Sequence, residues 1–175
     1  MILLILVINL PDGIFLLRMA SREKSLSFDP APFRIGIDLV EVGKVRKIFE
    51  RREAVRESIF TSEELRRSWE QKDPYSCLAA LFASKEAFFK ALGTGLSGEM
   101  DWRDVEVQRG TSGTPVLRLW RKTAQLAHEM GVVKYALSLS HTKDYGIAMV
   151  LLELAAGQKP LTPQGSIPET DLNLI

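Results

Sequence analysis

Three side chains in this 175-residue sequence have the types and spacing for phosphate chemistry. Glu86 and Lys90 stand four apart in FASKEAFFKALGTG, from Phe82 to Gly95, so a helix would put them on one face. Their simplest use there is a salt bridge of about 0.2–0.5 kcal/mol. Two features argue for more. Glu86 lies within about 60° of both Phe82 and Phe89 in helical angle, close to the apolar stripe. Gly93, Thr94 and Gly95 follow, a backbone that lets N–H groups approach an anion. Asp38 lies in the apolar strand RIGIDLVEV, where a carboxylate is costly unless it is paired, holds a cation or faces water. Two carboxylates converging from a strand and a helix suit magnesium, which takes one or two from the protein and the rest from phosphate and water. His141 and Thr142, in SLSHT ahead of the tight Lys143-Asp144, could serve a phosphate; a histidine at a strand end is also an ordinary hydrogen-bonded residue.

The charge balance narrows the partners. A formal net charge of +1 argues against wholesale nucleic-acid binding, so electrostatic recognition must be local. The run from Gly43 to Arg56 concentrates it. Lys44, Arg46, Lys47, Arg51, Arg52 and Arg56 face only Glu50 and Glu53, which points either to a solvated face or to an acidic partner. One cysteine, Cys77, excludes an internal disulfide and a multi-cysteine metal site and reads as a small core residue. MILLILVINL ends at Pro11, about half of what a bilayer crossing needs. Residues 1–18 are expected to lie outside the working protein, with synthesis starting at Met19; a weak signal-like segment is the alternative.

The positioning elements follow from periodicity. Ile35, Ile37 and Leu39 alternate with polar partners and predict a half-buried strand over Arg34 to Val42. Val45, Ile48, Phe49, Arg52 and Val55 predict one helix from Gly43 to Arg56. Thr61 and Glu64 have capping-box spacing and predict a helix to about Gln71. Pro74 breaks the chain, and a third helix, Tyr75 to Leu92, packs through Leu78, Leu81, Phe82, Phe89 and Leu92 and ends at Gly93. Strands are expected at Val105–Arg109 and Val116–Trp120 around a Gly/Pro-rich turn, then a short helix closed by Gly131, then strands at Tyr135–Thr142 and Tyr145–Leu154. The order predicts a single α+β domain over 34–154, an antiparallel sheet packed against helices, with an extension at 1–33 and a flexible tail at 155–175.

Five separated segments, GIDLVEVGKVRKI, IFTSEEL, LFASKEAFFKALGTG, SGTPVL and SLSHTKDYGIAMVLLE, run in order from about Arg34 to Glu153. Together they resemble holo-[acyl-carrier-protein] synthase, the short, stand-alone class of 4′-phosphopantetheinyl transferases. The resemblance implies transfer of the 4′-phosphopantetheine arm of coenzyme A to a serine of apo-acyl carrier protein, releasing adenosine 3′,5′-bisphosphate, in the cytoplasm and in support of fatty acid biosynthesis. It implies that Asp38 and Glu86 hold Mg²⁺ and that Lys90 handles phosphate oxygens. Glu86, directly or through a water, would accept the serine proton. Gly93, Thr94 and Gly95 would border the coenzyme A phosphates, His141 and Thr142 would touch its nucleotide, and Lys85 would sit at the nucleotide or in solvent. The turn holding Gly113 and Pro115 would approach a nucleotide held by a neighbour in a homotrimer. Lys44, Lys47 and Arg51 would dock the acidic carrier, Lys44 replacing the more usual arginine and giving up its bidentate fork. Beside this stand two alternatives: a non-catalytic module that binds an acidic protein through the basic helix, and a Mg²⁺-dependent phosphotransferase acting on a nucleotide.

Overall fold

The computed structural model describes residues 32–96 and 98–155, together with two short strands, β1 (Leu6–Leu10) and β2 (Gly13–Leu17). β1 and β2 pair antiparallel with each other and belong to a separate unit, Met1–Pro30. The expected start at Met19 lies outside the described residues, as does the expected tail beyond Ala155.

In the second unit the alternating run becomes β3 (Phe33–Glu41), the edge of a three-stranded antiparallel sheet. β7 (Tyr145–Leu154) is central and β6 (Val132–His141) forms the other edge. The sheet overturns the expected facing of β3. Ile35, Ile37 and Leu39 are 60%, 54% and 59% exposed, while Arg34, Gly36, Asp38 and Val40 point to the helical side. The reason is steric. A Cβ at Gly36 would come within 1.9 Å of the Ala87 carbonyl oxygen, and one at Gly146 within 2.4 Å of the Ala80 amide nitrogen. A helix lying this close leaves no room for a second row of large side chains.

That helix is α4 (Pro74–Leu92), opened by a proline in its first turn and closed by Gly93 at φ 84°. It is buried nearly all round, against β3 and β7 on one side and against other helices on the other. The expected single basic helix divides into α1 (Val42–Arg51) and α2 (Glu53–Ile59), because Arg52 leaves the helical region at φ −135°, ψ 78°. The bend brings Phe60 edge-on to Phe49, with ring centroids 5.6 Å apart. Val45 and Phe49 are buried as expected, whereas Ile48 is 46% exposed.

The helix α3 (Ser62–Trp69) has the predicted capping box, with Thr61 and Glu64 bonding each other's backbone amides. A short 3₁₀ turn then leads into an antiparallel hairpin, β4 (Val105–Arg109) and β5 (Pro115–Leu119), whose turn uses Gly113 at φ 79°. The helix α5 (Arg121–Glu129) leads to Gly131 at φ 75° and on to β6, which starts three residues before the expected Tyr135.

Candidate active site

Asp38 leaves the inner face of β3, and Glu86 and Lys90 leave successive turns of α4. All three line one cleft of about 600 Å³, with Lys44, Ile48 and Tyr145 at its rim. The Lys90 ammonium donates to Asp38 Oδ1 at 2.6 Å, so its partner is across the cleft and not the Glu86 that spacing suggested. Asp38 is 13% exposed and Lys90 52%, which leaves the lysine reachable from solvent. Burial, and then the negative charge of Asp38, push the Glu86 carboxyl above the usual carboxylate range, with Lys90 opposing.

A carboxylate whose charge is disfavoured by burial and by a second carboxylate marks a site that a divalent cation would relieve. Among the described residues, no cluster of three or more His, Cys, Asp or Glu side chains is arranged to hold a metal. An ion between Asp38 and Glu86 would therefore draw its other ligands from substrate and water, which is how magnesium is usually bound. The donor set fits.

Lys85 corrects the expectation for it. Its side chain is fully buried, and its ammonium donates to Glu64 Oε2 at 2.8 Å and to the carbonyls of Trp102 and Val105. All three of its donors are engaged, and none is left for a nucleotide. Glu64, read from sequence only as a cap, is equally central. Its Oε2 also accepts from the Thr61 amide, and its Oε1 accepts from the Val107 amide at 2.9 Å.

The glycines after α4 divide. The Gly93 amide is used by the carbonyls of Phe89 and Lys90, and its helix end carries the negative pole of the peptide dipole. Gly93 therefore serves as a cap, not as an anion cradle. Gly95 has φ 60° and open space where a Cβ would be, and Thr94 turns its hydroxyl to the Gly95 carbonyl. Arg34, which sequence reasoning passed over, donates to the Leu92 carbonyl at 2.7 Å and ties the helix end to β3. Alternation alone puts Arg34 on the polar face of the strand with Asp38, so no sequence signal marked it.

His141, Gly113 and Pro115 line a different cleft, of about 440 Å³, with Arg67, Gln71 and Arg109. The two clefts flank α4. Phe82, Glu86 and Lys90 border the first, and Cys77, Ala80 and Leu81, about half a turn round the helix, border the second. The Thr142 hydroxyl accepts from the amides of Asp144 and Tyr145 and shapes the β6–β7 turn. A single chain thus gathers Asp38, Glu86 and Lys90 but keeps them apart from Gly113, Pro115 and His141.

Beside the first cleft lies the basic surface of α1. Lys44, Lys47, Ile48, Arg51 and Arg52 line a shallow depression. Arg46 is turned elsewhere, to Asp73 at 3.3 Å and over the Tyr75 ring at 4.5 Å. Arg56 is spent on Glu53 at 2.7 Å. Lys47, Arg51 and Arg52 have no ion-pair partner among the described residues. The exposed Ile48 sits among these cations, a position that helical periodicity alone assigned to the core.

The family model described as the 4′-phosphopantetheinyl transferase superfamily matches residues 34–150. The chain belongs to this superfamily. Among its relatives is the holo-[acyl-carrier-protein] synthase of Desulforudis audaxviator, 43% identical over 67% of this chain and 89% of that protein. Another, from Caldanaerobacter subterraneus subsp. tengcongensis, is 37% identical over 67% of this chain and 91% of that protein. Among solved structures, the holo-[acyl-carrier-protein] synthase of Neisseria meningitidis superposes with a TM-score of 0.63 at 30% identity, covering 69% of this chain and 97% of that one. A coenzyme A complex from Chronobacterium ammoniagenes gives a TM-score of 0.64 at 28% identity, covering 70% and 98%. The α+β architecture of this 4′-phosphopantetheinyl transferase is that of those neighbours.

Proposed function

We propose that this protein transfers the 4′-phosphopantetheine arm of coenzyme A to a serine hydroxyl of apo-acyl carrier protein in the cytoplasm, in support of fatty acid biosynthesis. The observation that carries the reading is the convergence of Asp38, Glu86 and Lys90 in one cleft beside the unpaired cations of α1. In the reaction the serine oxygen bonds to the pantetheine-side phosphorus. The bond from that phosphorus to the oxygen bridging the diphosphate breaks, and adenosine 3′,5′-bisphosphate leaves with the electron pair.

Asp38 and Glu86 would hold Mg²⁺, which when bound offsets diphosphate charge and orients the group. Lys90, half exposed and held only by Asp38, can move its ammonium to the phosphate oxygens and meet the charge that grows on the leaving group. Glu86 accepts the serine proton, directly or through a water. Lys44, Lys47 and Arg51 steer the acidic carrier, and Ile48 gives it an apolar contact in the middle of that charge. Thr94 and Gly95 border the diphosphate.

The same reading makes the working unit a homotrimer. The outer face of the sheet presents Phe33, Ile35, Ile37, Leu39, Ile147 and Met149, each more than two-fifths exposed, an area of apolar surface that favours a partner. A neighbouring copy would also bring its Gly113, Pro115 and His141 to the nucleotide whose diphosphate lies at Asp38 and Glu86. The test mixes protein, coenzyme A, Mg²⁺ and an apo-carrier from the same source, and weighs the carrier. A mass gain equal to the arm is expected; an unmodified carrier would overturn the enzyme reading. Light scattering should give three times the chain mass, and Ile37→Lys should give one.

A further inference from the structure

The hairpin β4–β5 pairs only with itself among the described strands, so both of its long edges are open. At an open edge, the residues of a non-hydrogen-bonded cross-strand pair turn their amides and carbonyls outward. Bonds from the Trp120 amide to the Asp104 carbonyl and from the Gly110 amide to the Thr114 carbonyl fix that alternation, and make Val107 opposite Leu117 such a pair. Both residues find side-chain partners. On the β4 edge, the Val107 amide donates to Glu64 Oε1 and its carbonyl accepts from the Arg67 guanidinium. On the β5 edge, the Leu117 amide donates to the Tyr135 hydroxyl at 3.0 Å, and that hydroxyl donates to the Leu117 carbonyl at 2.9 Å. One phenol oxygen closes both groups and stands in for a missing strand.

Tyr135 belongs to the strand that also forms the wall facing the hairpin. Strand alternation places Tyr135, Leu137, Leu139 and His141 on one face of β6. Leu139 and His141 line the second cleft, and Arg109, Gly113 and Pro115 line it from the hairpin. The hydroxyl at one end of this face therefore sets how far the hairpin stands from the histidine at its other end.

We propose that Tyr135 is a positioning residue that fixes the width of the hairpin–β6 cleft, and through it the affinity for the nucleotide end of coenzyme A. This rests on the reading of that cleft as the nucleotide's half-site. The variant Tyr135→Phe keeps the ring and removes both hydrogen bonds. Calorimetric binding of adenosine 3′,5′-bisphosphate to the full chain should weaken about 3- to 10-fold, the size of effect that a lost hydrogen bond gives. The KM for coenzyme A should rise by the same factor. The KM for the carrier and kcat should stay within about twofold, the pattern of lost uniform binding. Hydrogen exchange at the Leu117 amide should accelerate relative to the wild type. Faster exchange with unchanged bisphosphate affinity would make the tyrosine a structural clip only and overturn the proposal. Unchanged exchange would overturn it as well, by showing that the clip does not hold the edge. A wild-type protein that binds no bisphosphate would overturn the nucleotide reading itself, and this inference with it.

Discussion

Five residues apart on α4, Lys85 and Lys90 each donate to a carboxylate within 3 Å, yet the two pairs live in opposite surroundings. Lys85 and Glu64 are wholly buried, and the carboxylate answers two backbone amides besides the lysine. Lys90 and Asp38 are 52% and 13% exposed at the edge of a cleft, with a second carboxylate nearby. A buried pair with every ammonium proton and both carboxylate oxygens engaged fixes structure, because moving either partner strands the other in a low dielectric. A half-open pair can exchange partners, as the phosphate-handling role proposed for Lys90 would require. Charge type is the same; access to water is what differs.

The same substitution at both positions would test that contrast. Lys85→Met leaves Glu64 buried without its counter-ion and should cost about 3–5 kcal/mol in urea unfolding. Lys90→Met should change stability by less than about 1 kcal/mol, since an exposed pair is weak. If the two variants lost similar stability, the contrast would fail.

Next in size is the effect on chemistry. Glu86→Ala or Asp38→Ala should lower kcat/KM by on the order of 10²–10³-fold, the scale seen when one electrostatic stabiliser is removed. The folding midpoint should barely move; a large loss of stability would make these carboxylates structural after all.

Charge reversal at Lys47 and Arg51 should raise the KM for carrier about tenfold or more while leaving that for coenzyme A nearly unchanged. The effect should shrink as salt rises, because the contacts are exposed. Equal changes in both KM values would remove α1 from carrier recognition.

The smallest effect is in pH. Folding holds the Glu86 carboxyl above its ordinary range, so the native state binds the proton more tightly than the unfolded chain. That contribution is complete at acidic pH and is lost as pH rises through the folded-state value. Glu86→Gln should lack this decline, which paired urea titrations across the weakly acidic range would reveal.

Much of this was legible in the sequence, and the failures share a cause. The capping box at Thr61, the helix end at Gly93 and the hairpin glycine at position 113 are local rules, settled within four or five residues, and the structure follows them. The alternation in β3 was read correctly as two unlike faces. It could not say which face this chain would cover, because that depends on Ala87, some fifty residues away, pressing on Gly36. Lys85 was beyond reach for a similar reason: its partners come from α3 and from the residues around β4. The split of α1 from α2 goes with Phe60 meeting Phe49, again a contact that periodicity does not carry.

Gly36 stands two residues before Asp38 on the same face of β3, and α4 rests directly on it. The span between the strand carboxylate and the helix carboxylate is therefore gauged by an absent methyl group. A bulkier residue there would act as a shim, lifting the helix and moving Glu86 and Lys90 away from Asp38 together while changing no charge. Tolerance to mutation in this protein should then be mapped by thickness as much as by chemistry, with a blank position in the strand as the reference mark from which the spacing of Asp38, Glu86 and Lys90 is measured.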